Sequence, residues 1–157
     1  RDRVGLVSFG GVLRWLAPGM GSTQRYRIVD ALLESEVVFN YAWKQVSIIP
    51  ARVLPPQALV LAITPLLDDR AIEALADLRA RRYDLALVEV SPVGFADPGP
   101  TEADRLAHRL WLLRRQELKA YYERLGVAVA TWSDDVPVDA ALEEVRAFRR
   151  HVRLARV

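Results

Sequence analysis

Two continuously apolar runs, Ala58-Leu59-Val60-Leu61-Ala62-Ile63-Thr64 and Leu85-Ala86-Leu87-Val88-Glu89-Val90, bracket a segment of helical periodicity, and this juxtaposition constrains the fold more than any other feature of the chain. A strand with one wet face alternates apolar and polar residues, whereas one that is apolar throughout is expected to lie under helices on both faces. Between the runs, Asp68-Asp69 supplies a helix N-cap, and Ile72, Leu75, Ala76 and Leu78 follow in register until the pattern ends near Arg82. Strand, helix and strand at this length predict a right-handed βαβ unit with parallel strands.

The flanking sequence extends the pattern. Val4-Gly5-Leu6-Val7-Ser8-Phe9 and Val12-Leu13-Arg14-Trp15-Leu16, separated by Gly10-Gly11, predict a β-hairpin that Pro18-Gly19-Met20-Gly21 breaks off. Ser22-Thr23 then offers a hydroxyl cap to a helix carrying Tyr26, Ile28, Val29, Leu32 and Leu33. Residues 36–57 read as a mixed connection, since Phe39, Tyr41 and Trp43 alternate as in a strand while Val38, Ala42, Val46 and Ile49 recur as in a helix. Beyond the βαβ unit, Thr101 caps a long helix with Leu106, Leu110, Leu113, Leu118, Tyr121, Tyr122 and Leu125, which Gly126 ends. Val127 to Thr131 is a last short strand, and Ala141, Leu142, Val145 and Phe148 mark the inner face of a final helix. The reading is a three-layer α/β domain with a mainly parallel sheet, an N-terminal β-hairpin and flanking helices.

At 157 residues, 52% of them apolar and with a net charge of +2, the chain has material for one core and lies outside the disordered range. With no cysteine, disulfide frameworks and cysteine-ligated metal centres are excluded. The longest uncharged stretch, residues 53–67, contains three prolines and is shorter than the roughly 20 apolar residues of a membrane span, so this segment is expected to be soluble as it stands. Residue 1 is Arg, and the chain is read as a fragment whose parent carries an upstream segment that is its only route to a membrane anchor. All acidic side chains precede residue 146, while residues 146–157 hold five arginines. The expected division is therefore an α/β domain over residues 1–145 and a basic tail over 146–157. That tail would suit nucleic acid, anionic lipid or an acidic protein face. Cations at a helix C-terminus explain it as well.

Ligands of an open parallel sheet gather beyond the strand C-termini, which points to residues 19–23, 64–69 and 91–101. The first loop has glycines and hydroxyls at a helix start but no P-loop lysine. Ser22, Thr23, Thr64, Asp68 and Asp69 are oxygen donors that suit Mg²⁺ if they meet at one edge, although capping alone accounts for both aspartates. His108 and His151 sit among arginines, and neither reads as a metal ligand or general base. No Gly-x-Ser-x-Gly elbow is present.

Arg3 to Gly11, then Pro18-Gly19-Met20-Gly21 ahead of the Ile28 to Leu33 helix, then Leu59 to Thr64, resemble the middle and end of a von Willebrand factor A domain. The similarity is to the bacterial branch named domain of unknown function fifty-eight, encoded beside MoxR-type AAA+ ATPases, and covers most of residues 1–135. It implies a parallel sheet flanked by helices and a metal-dependent adhesion site at the sheet's top edge that binds another protein. The family's Asp-x-Ser-x-Ser loop would lie upstream of Arg1, and the loss of its strand is expected to leave apolar faces and unpaired strand edges. Ser22 or Thr23 corresponds to the threonine of the second loop. The third loop, Thr-Asp-Gly in the family, reads Thr64-Pro65-Leu66 here, so proline replaces the carboxylate and Asp68 is displaced by three residues. The expectation is a non-enzymatic interaction domain with a degenerate metal site and no cofactor. Its partner would be a MoxR-type AAA+ ATPase, docked around Ser22, Thr23, Thr64 and Asp68. The alternatives are an anion- or phosphate-binding enzyme using the same loops, or a basic-tailed adaptor for nucleic acid or membrane surfaces.

Overall fold

The computed structural model describes residues 2–8, 14–35, 54–56 and 58–154, with the side chains of 151–154 excepted. The chain parts into two units, Arg1–Ala58 and Leu59–Val157. Residue 146, the expected start of the basic tail, lies within a helix that runs from Val138 to Leu154.

In the first unit, β1 (Val4–Ser8) pairs antiparallel with β2 (Arg14–Gly19), and α1 (Gly21–Leu33) follows. The Gly10-Gly11 turn lies outside the described residues, as does the mixed connection apart from 54–56. Two details of the expectation are corrected. Pro18 lies within β2 instead of ending it, at the strand's last turn, where its missing N–H costs little. The N-cap of α1 is Met20, without a side-chain cap, so Ser22 and Thr23 sit exposed in the first turn and cap nothing. The helix start is pinned instead by buried Gln24, whose amide nitrogen donates to Val4 O at 2.8 Å and Ala17 O at 3.1 Å. That approach needs glycine at position 19, where a Cβ would lie 2.6 Å from Gln24 Oε1.

The second unit has the order β3 (Leu59–Thr64), α2 (Asp69–Ala80), β4 (Asp84–Val90), a 3₁₀ turn (Val93–Phe95), α3 (Glu102–Arg124), β5 (Ala128–Trp132) and α4 (Val138–Leu154). Its three strands are parallel in the order β3-β4-β5, as the apolar runs require. Central β4 is almost wholly buried. Its side chains alternate between faces: Ala86 and Val88 join Ala128, Ala130, Ala141 and Val145 beneath α4, while Leu85, Leu87 and Glu89 lie on the face of α2 and α3. Helices thus cover both faces of the central strand.

β3 departs from the two-sided cover that its composition predicts. Leu59, Leu61 and Ile63 share the α4 face with Asp84, Ala86 and Val88 by register, yet all three are exposed because α4 packs over β4 and β5. Among the described residues, the outer edge of β3 has no partner strand.

The helix signals have direct physical counterparts. Asp68 caps α2 by accepting from Arg70 N. Thr101 and Asp104 form a reciprocal capping box on α3, and the Thr101 bonds hold the Asp104 carboxyl below its ordinary pKa of 3.8. Gly126, at φ +73°, ends α3 with its N–H on Glu123 O at 2.8 Å, while Val127 N bonds Tyr122 O at 3.0 Å. In the arginine-rich end, Arg146 pairs with Glu143, and Arg149 pairs with Asp84 at the start of β4. No described helix is long and apolar enough to cross a membrane.

Candidate functional site

The C-terminal edge of the β3-β4-β5 sheet is built on one row of side chains. Parallel register sets Thr64, Glu89 and Thr131 side by side on the α3 face. Glu89 is 1% exposed, and an unpaired carboxylate at that depth would cost several kcal/mol. Its charge is met from α3, where Arg115 and Lys119, one helical turn apart, point to the same face. Arg115 pairs with Glu89 Oε1, and Lys119 pairs with Oε2. Lys119 Nζ also donates to Thr131 Oγ1 at 2.8 Å, and that hydroxyl donates to Glu89 Oε2 at 3.3 Å.

Arg115 is 7% exposed and ties a third element to this row, because its Nη2 donates to Pro65 O at 3.0 Å. Its Nη1 is buried without a hydrogen-bond partner. The guanidinium carbon lies 5.1 Å from the Trp111 ring centroid, a cation–π contact that offsets part of that cost. The β3–α2 loop is therefore held from both ends. Thr64 Oγ1 accepts from Leu66 N at 3.2 Å, and Leu66 is buried in a left-handed conformation, φ +53°, that costs a non-glycine residue about 1 kcal/mol or more.

The residues singled out from sequence are divided by this arrangement. Thr64 stands in the row beside Glu89. Asp68 serves its own helix: Oδ1 accepts from Arg70 N and Nε, and Oδ2 accepts from Arg70 Nη2. Asp69 pairs with Arg114 at 3.3 Å. Ser22 and Thr23 belong to the other unit. Among the described residues, no three of His, Asp and Glu converge as a metal site would require. Glu89 is the row's only carboxylate, and two cations already saturate it. A divalent ion placed there would meet a net positive cluster, so these donors do not fit Mg²⁺.

Sequence reasoning missed Glu89, Arg115 and Lys119. The signal was the single acid inside an apolar strand, which is stable there only if a cation reaches it. Nothing in the local spacing of α3 names that cation before the register is known.

Around this polar floor the connecting segments expose apolar side chains: Leu67 after β3, Val93 and Phe95 after β4, and Trp132 at the end of β5. Phe95 is 78% exposed on a short turn closed by Phe95 N to Pro92 O at 3.1 Å and Ala96 N to Val93 O at 3.2 Å. Ser91 N bonds Trp132 O at 2.7 Å, carrying the sheet ladder one step past β4. No known protein family, curated protein or solved structure matches the chain.

Proposed function

We propose that this chain is a non-enzymatic protein-interaction domain of von Willebrand factor A type that docks a partner on the C-terminal edge of its parallel sheet. The observation that carries this reading is the exposed set Leu67, Val93, Phe95 and Trp132 on the segments beyond a polar row whose one carboxylate is paired internally. Exposed aromatic side chains on hydrogen-bonded turns are the residues that make interface anchors. The Glu89 carboxylate, by contrast, is buried and already paired with two cations, which opposes its use as a base or metal ligand. At Pro65, which the resemblance places in the degenerate metal loop, the backbone carbonyl accepts from Arg115. Phosphoryl or anion chemistry at the same loops is disfavoured, because Arg115 and Lys119 are already committed to Glu89.

A MoxR-type AAA+ ATPase is the partner this reading favours, on the strength of the sequence resemblance. Binding of the purified chain to such an ATPase, followed by biolayer interferometry, tests it. Phe95→Ser is expected to weaken binding at least about tenfold, as loss of a central aromatic anchor does, with no loss of thermal stability. Unchanged affinity in Phe95→Ser and Trp132→Ser would refute the assignment of this edge.

A further inference from the structure

The long helix α3 presents a second apolar face that the docking edge does not use. One helix face, with Trp111, Arg115, Leu118 and Tyr122, is buried or half-buried, and the opposite face carries Leu106, Leu110 and Leu113. These three leucines are 57%, 59% and 59% exposed. Their spacing of four and then three residues is that of a coiled-coil seam. Among the described residues nothing covers the N-terminal half: residues 102–110 are exposed with the one exception of half-buried His108. The half-helix is nevertheless firmly started by the Thr101–Asp104 capping box, so the stripe is displayed on preformed structure.

We infer that this stripe binds an amphipathic helix of a partner protein whose apolar seam is flanked by acidic residues. The charges beside the leucines give the reason. Arg105 and Arg109 lie along one flank and Arg114, which also makes a solvent-exposed pair with Asp69, along the other; all three are exposed, so the middle of the seam is bracketed by cations. In a parallel pairing of two copies, Arg109 of one chain would oppose Arg114 of the other, the flanking contact that selects partners in coiled coils. Like charges there oppose that self-association, while glutamates at the flanking positions of a different helix would pair with both arginines. A basic amphipathic helix can also lie on an anionic membrane. Here the apolar arc is only roughly 60° wide at 100° per residue, and exposed Glu117 continues the leucine line at its C-terminal end. A lipid surface would bury that carboxylate, whereas a partner helix two to three turns long stops short of it or meets it with a cation.

Fluorescence anisotropy with labelled synthetic helices provides the test. The probe is a four-heptad peptide with leucine at the seam and glutamate on both flanks, compared with the same peptide carrying lysine on the flanks. The whole chain is expected to bind the acidic peptide at least tenfold more tightly than the basic one. Leu110→Ser should abolish binding, and Arg109→Glu with Arg114→Glu should reverse the preference. All three positions are exposed, so these variants are expected to keep the parent melting temperature. Phe95→Ser should leave peptide binding intact, which separates failure of this inference from failure of the docking edge. Equal binding of both peptides would overturn the inference. So would a dimer in sedimentation that Leu110→Ser dissociates, or binding confined to anionic phosphatidylserine vesicles.

Discussion

Glu89 decides more about this protein than its position in an apolar strand suggests. It is the buried link through which α3 is fastened to the sheet, and removing its charge strands two cations in the interior. Glu89→Gln is therefore expected to lower the free energy of unfolding by about 3–5 kcal/mol, read from urea denaturation. The double variant Glu89→Leu/Arg115→Met should recover most of that loss, since half-exposed Lys119 can turn to water; a double variant as unstable as the single one would show that the pair's contribution is not electrostatic. Tyr122 gives a second, titratable check. Fully buried and donating its hydroxyl to Ile72 O at 2.7 Å, it has its pKa raised to about 12, by burial first and by neighbouring Tyr121 second. The folded state thus favours the neutral phenol. Its contribution is complete below the ordinary value of 10.0 and is lost as pH rises from 10 through about 12. Melting temperature followed across that window should fall in the parent chain and fall less steeply in Tyr122→Phe. Neither residue was legible as an anchor, because pairings of α3 with β4 and with α2 depend on how the elements pack, which local spacing does not encode.

At the scale of elements, the sequence is most readable where the physics is local. Caps at Asp68 and Thr101 and the glycine stop at Gly126 follow from a few adjacent residues, and each appears where the composition places it. Thr101→Ala should cost about 1 kcal/mol, measurable as a lowered denaturation midpoint with an unchanged slope. The start of α1 failed for an instructive reason: Ser22 and Thr23 have the right chemistry, but Gln24 reaches back to the hairpin and the helix N-cap falls at Met20, two residues before Ser22. β3 failed because an apolar strand reports that it can be buried on both faces, not that both are covered. Leu59, Leu61 and Ile63 remain exposed on an edge with no protective charge or proline inside it, the pattern of an aggregation-prone strand. Replacing Leu61 and Ile63 with threonine should raise the concentration at which light scattering appears while leaving the melting temperature within a degree or two, about the effect of ordinary surface changes. A large loss of stability would mean that these side chains are covered in solution.

For the molecule as a whole, the parallel βαβ core and its flanking helices were legible from apolar periodicity, whereas the chemistry of the sheet's edge was not. The sequence drew attention to Pro65, yet only the fold shows that Arg115 holds that proline's carbonyl and that Asp68 belongs to α2. Since the donors of this edge are committed to one another, adding Mg²⁺ or Mn²⁺ is expected to leave the melting temperature unchanged, and a ligand-like rise would disprove the absence of a site. Docking at this edge is tested most directly by placing a photo-crosslinking amino acid at position 95 of the protein in cells, with position 123 on the exposed C-terminal turn of α3 as the control. The account predicts a discrete adduct at 95 that contains a AAA+ ATPase and none at 123; adducts at 123 alone, or none at either position, would contradict it.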